Sequence, residues 1–303
     1  MSYHIISIDK PECSISVSKG QLIVLSGQEK NSIPMEDVAA IVITSFKCTL
    51  SSNFIIEAAK KRIGLIICEL YKPAALILPV SRGTDTAILR NIARLTPQLK
   101  RRLWQKTVDA KCLNQFHTAR NWNPTHPLLN EMYRIASSHK ETKEAETARL
   151  FWAIFSDTYT QNQFRRDRLA EDFNVLFNYA YAVLLSCVLR YLLALGIDPT
   201  FGIFHIERAH ATPLAYDLME PFRVVFDSAV CDWITERRKQ GEADSIIASV
   251  SNDFRMRISS QLLKTVHYQN HNQTLKKTIE EVIRTFRTSV LNLQSGHYEP
   301  WTI

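Results

Sequence analysis

The apolar residues of this chain change period once, near residue 86, and that change fixes what it can fold into. From residue 3 to about residue 80 they come in short runs rich in Ile and Val, separated by turn residues. Beyond that point they recur at spacings of three and four, the period of one helix face. The first stretch predicts strands at Tyr3–Ile8, Ser14–Val17, Gln21–Leu25, Ala39–Ile43, Leu65–Leu70 and Ala75–Pro79. Lys19-Gly20 reads as a tight turn between the second and third strands, and Tyr71-Lys72-Pro73 as the turn between the last two. One helix interrupts them, from about Asn53 to Lys61, capped by Ser51 or Ser52 and stopped by Gly64. Ser81-Arg82-Gly83-Thr84-Asp85 has linker composition. The fold class is therefore α+β. A small N-terminal β-rich domain, residues 1–85, precedes a larger all-α domain, residues 86–303.

The helical part begins with Leu99–Arg120, whose buried stripe is Trp104, Val108, Cys112 and Phe116. Leu128–Ser137, Glu144–Tyr159, Phe173–Leu195, Pro213–Glu220, Phe222–Arg238, Arg255–His267 and Thr274–Leu293 follow. Only eight of the 303 residues are Gly and 46% are hydrophobic, which predicts a packed core and excludes general disorder. The apolar run Tyr179–Leu189 stops at Arg190, short of the roughly 20 residues a bilayer requires. It reads as a buried helix, and no membrane partner is expected. The first ten residues do not have the pattern of a signal peptide. Six scattered cysteines without a CxxC pair fit reduced thiols in a cytoplasmic protein and no zinc site. A formal charge of +7 leans toward a polyanionic partner.

The chemistry concentrates at Asp217-Leu-Met-Glu220-Pro-Phe-Arg223. Asp217 and Glu220 share one helical face, and Pro221 forces a kink or a fresh helix start beside Glu220. His205 stands twelve residues before Asp217. Glu144 extends the apolar stripe of Ala148, Phe151 and Phe155, where a carboxylate is costly unless paired or bound to metal. Read blandly, these are a helix-start Glu favoured by the macrodipole, a hydrogen-bonded core His and a solvated acidic face. Read together, they are a His/Glu/Glu(Asp) set able to hold Mg²⁺ or Mn²⁺ against phosphate oxygens.

A rival pattern overlaps this set. His205-Ile-Glu-Arg208 is an HxxR sequence like that of tyrosine recombinases, whose nucleophile would have to be Tyr268 or Tyr298. A second alternative is a basic helical module that binds DNA without catalysis. Basic clusters occur at Arg165-Arg166-Asp-Arg168, with Phe164 beside them as a base-stacking candidate, and at Arg237-Arg238-Lys239. Arg94, Lys100, Arg101 and Arg102 form a further candidate phosphate track. The acids Glu280 and Glu281 offer pairing partners to the basic residues of the last helix.

Several motifs, in order, resemble one family. Glu144-Ala-Glu-Thr-Ala-Arg149-Leu-Phe-Trp152 resembles the E-G-x-A-A-R-x-Y-F signature of the Cas1 family of CRISPR adaptation integrases. Lys111-Cys-Leu-Asn114-Gln115 is similar to its K-I-x-N-Q, and Phe173-Asn174-Val-Leu-Phe-Asn178-Tyr179-Ala-Tyr181 to its I-N-x-x-L-N-Y-G-Y. Leu195-Gly-Ile-Asp-Pro-Thr-Phe-Gly-Ile-Phe-His205 resembles L-G-L-D-P-x-L-G-F-L-H. Leu214-Ala-Tyr-Asp217-Leu-Met-Glu220-Pro-Phe-Arg223 resembles L-A-x-D-L-M-E-P-F-R-P, the wording of the type II branch found beside Cas9 nucleases. Ala145 and Val224 depart from the pattern and leave the candidate ligands intact. The run from Ile206 to Pro213 departs further, and there the local DNA contacts are expected to differ from the family's, with the metal site unaffected.

The resemblance implies a homodimer formed through the N-terminal domain, and two such dimers bridged by a Cas2 dimer. It implies capture of short double-stranded DNA and its insertion at a CRISPR array by transesterification, with Cas9 as a further partner. Carried over by position, Glu144, His205 and Glu220 would bind the divalent metal, and Asp217 would support them as a ligand or as an acceptor behind one. Arg149, Arg165, Arg166 and Arg223 are the nucleic-acid contacts expected.

Overall fold

A computed structural model describes the chain except residues 1–3, 9, 46, 62, 70–71, 78–85, 162 and 207–211. The expected linker at 81–85, Tyr71 and Arg208 of the HxxR pattern lie outside the described residues. The chain forms two compact units, Met1–Ala93 with Leu189–Pro199, and Arg94–Val188 with Thr200–Ile303.

The first unit holds two four-stranded sheets. Its elements are β1 (His4–Ile8), β2 (Cys13–Ser18), β3 (Gln21–Ser26), β4 (Glu29–Pro34), β5 (Val38–Ile43), β6 (Cys48–Leu50), α1 (Ser52–Lys60), β7 (Gly64–Glu69), β8 (Lys72–Ile77) and α2 (Thr86–Ala93). One sheet runs β1-β5-β7-β8, with only the β7–β8 pair antiparallel. The other runs β4-β3-β2-β6. Lys19 and Gly20 both take positive φ, 49° and 75°, as the two-residue turn between β2 and β3 requires. Ser51 is the cap of α1, its hydroxyl accepting from the Phe54 amide at 3.2 Å. Ile15, Leu22, Met35, Ile41, Phe54 and Leu65 form the core. Two strands escape the sequence reading. β4 is polar and exposed, an edge strand with no apolar period, and β6 is only three residues long.

The second unit is largely helical: α3 (Pro97–Trp122), α4 (Leu129–Ala136), α5 (Lys143–Tyr159), α6 (Asn174–Ala194), α7 (Pro213–Met219), α8 (Arg223–Lys239), α9 (Asp244–Ile247), α10 (Asn252–Ser260) and α11 (Leu275–Asn292). From Leu189 onward α6 groups with the first unit. Pro97 separates α2 from α3, and Thr96 caps the new helix through the Leu99 amide at 3.2 Å. The Trp104, Val108, Cys112, Phe116 stripe is buried, as its period predicts. One expectation is corrected. The chain does not stay helical to His267, because β9 (Thr265–Tyr268) and β10 (His271–Thr274) form a hairpin. Gln269 and Asn270 both take positive φ there, which a helix cannot accommodate.

α6 is long and apolar enough to cross a bilayer by length and composition, yet most of it is buried inside the protein. No disulfide joins the six cysteines, five of which are buried.

Candidate functional site

Three separate segments of the second unit converge on one cleft of about 850 Å³. Glu144 enters from the first turn of α5, on the same side as Ala148. Glu220 enters from a 3₁₀ turn, Glu220–Phe222, wedged between α7 and α8. Pro221 lacks the amide that would continue α7, so the helix ends at Met219 and restarts at Arg223. His205 enters from the loop before α7.

A cation sits between the two glutamates. The Lys111 ammonium, from α3, lies 2.7 Å from Glu144 Oε1 and 2.8 Å from Glu220 Oε2. The second contact is an ion pair without hydrogen-bond geometry, so Glu220 Oε2 is buried with no hydrogen-bond donor. Arg223 holds the other oxygen of Glu220 at 2.9 Å. Burial opposes charge on Glu220, but Arg223 and then Lys111 outweigh it and hold the carboxyl down at about 2. Burial likewise disfavours the Lys111 ammonium, and Glu220 and Glu144 more than compensate, raising its pKa.

Asp217 and Glu220 do not share a task. Asp217 is fully buried and accepts four hydrogen bonds: from the amides of Ile203 at 2.7 Å, Phe204 at 3.1 Å and His205 at 3.1 Å, and from His205 Nδ1 at 2.6 Å. With its lone pairs spoken for, it is a positioning residue that turns His205 Nε2 outward. That hydrogen bond raises the His205 pKa against the opposing effect of burial. The loop can wrap Asp217 only because residue 202 is Gly. A Cβ there would stand 2.2 Å from the His205 carbonyl oxygen.

Behind these groups lies a pair, half-buried Tyr181 and buried Asp227, that sequence reasoning did not single out. The Tyr181 hydroxyl donates to Asp227 Oδ1 at 2.6 Å, and Arg223 lies 4.5 Å over the Tyr181 ring. Burial pushes Asp227 up to about 7, against the pull of Tyr181, Arg223 and Arg166. The available signal was an acid inside the apolar run Val224-Val-Phe-Asp227, four residues from Arg223. Lys111 stands in the sequence only as part of a motif, and its role as the bridge between two acids has no local sequence signature.

Of the four arginines expected to meet nucleic acid, two line the cleft. Arg223 and Arg166 do, the latter anchored to Asn174 Oδ1 at 2.6 Å and Asn178 Oδ1 at 2.8 Å. Arg149 is largely exposed and points to Glu131 at 3.9 Å, and Arg165 is exposed; neither lines the cleft. Phe164 is not a stacking platform. It is buried against Phe155, Trp152 and Phe177, because the aromatic core of α5 and α6 offers it more contact than solvent does. Arg237 and Arg238 pair with Glu242 and Asp244, and Arg284 with Glu280, which gives those clusters a structural role. Tyr268 and Tyr298 are both buried outside the cleft. Tyr268 donates to the Glu299 carbonyl, and the Tyr298 hydroxyl bonds that of Thr107. Burial pushes both phenols up, the opposite of what a nucleophile needs.

Asn114 ties the Glu220 turn in place. Fully buried, it donates to the carbonyls of Pro221 at 2.8 Å and Trp301 at 3.0 Å, and its Oδ1 accepts from the Ile303 amide at 2.8 Å. Trp301 stacks on Phe222 at 5.7 Å. Asn114→Ala should leave buried carbonyls unpaired and cost about 1–3 kcal/mol of stability. A urea midpoint indistinguishable from the parent protein would refute that bracing role.

Residues 6–267 match the family of CRISPR associated protein Cas1. The chain is 28% identical over 287 residues to the CRISPR-associated endonuclease Cas1 of Neisseria meningitidis serogroup C, covering 91% of this chain and 88% of that one. It is 24% identical over 334 residues to that of Korarchaeum cryptofilum, covering 97% and 95%. Its fold is similar to that of a Cas1 protein from Thermotoga maritima, with a TM-score of 0.73 at 13% identity over 99% of this chain and 100% of that one. It is also similar to a casposase bound to integration product, at 0.69 and 18% over 100% and 96%. The chain belongs to the CRISPR-associated Cas1 family.

Proposed function

We propose that this protein is a divalent-metal-dependent DNA integrase and endonuclease of CRISPR adaptation. It inserts short duplex DNA into the CRISPR array by transesterification. The observation that carries the reading is the convergence of Glu144, Glu220 and His205 on one cleft that Lys111, Arg166, Arg168 and Arg223 also line.

Two carboxylates and an imidazole nitrogen suit Mn²⁺ or Mg²⁺. The bridging Lys111 supports this fit, since it places positive charge between the two acids. Among the described residues no group of three His, Cys, Asp or Glu side chains stands ready spaced for a metal, and the Lys111 ammonium occupies the space between the two acids. Glu144, Glu220 and His205 Nε2 would hold the ion, which when bound polarises the phosphoryl group and lowers the pKa of the attacking hydroxyl. Asp217 keeps His205 in the tautomer that leaves Nε2 bare. Arg223 and Arg166 neutralise phosphate charge as the 3′-hydroxyl oxygen of the incoming strand forms one P–O bond and another breaks.

The remaining assignments follow the family resemblance. Two homodimers, each joined through the N-terminal unit, flank a Cas2 dimer in the cytoplasm, and Cas9 is a further partner. Two similar structures are a Cas6-RT-Cas1–Cas2 complex and a partial form of it, and this chain covers 36% of the matched chain in the first. The test is incubation with Cas2, a short duplex and supercoiled repeat-bearing DNA in Mn²⁺. Joined products are expected; their absence would refute the activity.

DNA binding should be backbone-directed and salt-sensitive. Each neutralised phosphate releases counterions, so affinity should fall by about 10³-fold or more between 50 and 200 mM salt if six or more phosphates are met. Fluorescence anisotropy of labelled duplexes measures this, and an affinity independent of salt would contradict it.

A further inference from the structure

Resting on that reading, we infer that Phe204 is a stacking platform for the nucleobase next to the reacting phosphodiester. Its ring lies flat on Trp104, with centroids 4.3 Å apart and planes 3° from parallel. Trp104 is buried, whereas Phe204 remains 52% exposed and lines the cleft. One face is therefore backed by an indole and the rest is open to whatever enters.

The platform is also fixed. The Phe204 amide donates to Asp217 at 3.1 Å, and the same carboxylate orients His205. The Phe204 and His205 rings are 5.4 Å apart. A ligand gripped at His205 thus has its next group over Phe204. Leaving a large aromatic open to water forfeits the gain of burying it, and nothing in the packing of Trp104 requires the exposed part.

The surroundings select the ligand. Lys111, Arg166 and Arg223 line the same cleft and call for an anion, while the open ring calls for a flat π system beside it. A nucleotide carries both, and aromatic stacking accepts any base. In the family pattern quoted above the residue before the His is Leu; here it is Phe204, a side chain able to stack. Ile206, more exposed still at 78%, offers apolar surface but no ring.

The experiment uses the protein with Cas2 and duplexes carrying 2-aminopurine in turn at the 3′-terminal nucleotide and on either side of the target phosphodiester. One position should be quenched on binding, and Phe204→Ala should restore its fluorescence. That variant should raise the KM for DNA about tenfold with kcat little changed, and Phe204→Trp should recover the parent value. An abasic nucleotide at the quenched position should cost the parent protein the same factor and the Ala variant nothing further. Strand joining by the parent protein with fluorescence insensitive to Phe204 at every position would overturn the platform and leave the activity standing. Loss of Cas2 assembly in Phe204→Ala, with the 2-aminopurine signal unmoved, would overturn it in favour of a protein contact. A parent protein that neither binds nor joins DNA would overturn the activity, and the platform with it.

Discussion

Glu144→Gln is expected to reduce strand transfer by about three orders of magnitude, equivalent to about 4 kcal/mol of transition-state stabilisation, while the protein stays folded. Glu144 is part-exposed, with its side chain 27% accessible, and its amide isostere keeps the volume and can still meet Lys111. The charge, not the packing, is what the substitution removes. Glu220→Gln should be at least as damaging to the reaction, but it carries a second cost. Glu220 is 95% buried with Arg223 against one oxygen and Lys111 against the other, so its neutralisation takes the carboxylate partner from Arg223 while Lys111 keeps Glu144. Breaking a buried pair in this way costs about 3–5 kcal/mol of stability. The comparison is made by half-site strand transfer alongside thermal unfolding. Near-normal joining by folded Glu144→Gln would remove Glu144 from the reaction.

The second large effect concerns His205. His205→Ala should abolish most strand transfer, and Mn²⁺ affinity should depend on pH with a predictable sign. A metal ligand must be the neutral imidazole. Asp217 raises the His205 pKa above its ordinary 6.5, so the ring keeps its proton to higher pH than a free histidine does. Mn²⁺ binding should therefore weaken as pH falls through that raised value, beginning above 6.5, and be strongest on its alkaline side. Asp217→Asn removes the charge that holds the proton, so the acid limb should move to lower pH. The same change loosens the ring and should cost about 10–100-fold in activity. Isothermal titration with Mn²⁺ across the histidine range reads both effects. Affinity flat across that range, or an acid limb unmoved in Asp217→Asn, would remove His205 from the metal.

How much of this was legible depends on the kind of signal. Glu144 stood out because an acid on the stripe of Phe151 and Phe155 has to be compensated. Glu220 stood out because Pro221 breaks a helix beside it. Helical spacing brought Asp217 and Glu220 together, with Asp217 in support, but it did not name the partner of either. Glu220 keeps α-helical dihedrals at the end of α7, yet the two carboxylates serve different partners, the His205 loop and Lys111. Lys111 and Asn114 were hidden for a different reason. Their partners lie 33 to 189 residues away, and no local period encodes such contacts. β4 was missed because an exposed edge strand needs no apolar alternation. The β9–β10 hairpin was missed because four-residue strands are too short to show a period.

The most direct test of the metal-dependent site is a single reaction run in parallel with Mn²⁺ and with EDTA. The protein and Cas2 are incubated with a short labelled duplex and supercoiled repeat-bearing DNA, then resolved under denaturing conditions. Joined DNA should form with Mn²⁺, disappear with EDTA, and leave no label on the protein. Joining that survives the chelator and traps DNA on a tyrosine would contradict the account, and with it the roles given to Glu144, His205 and Glu220.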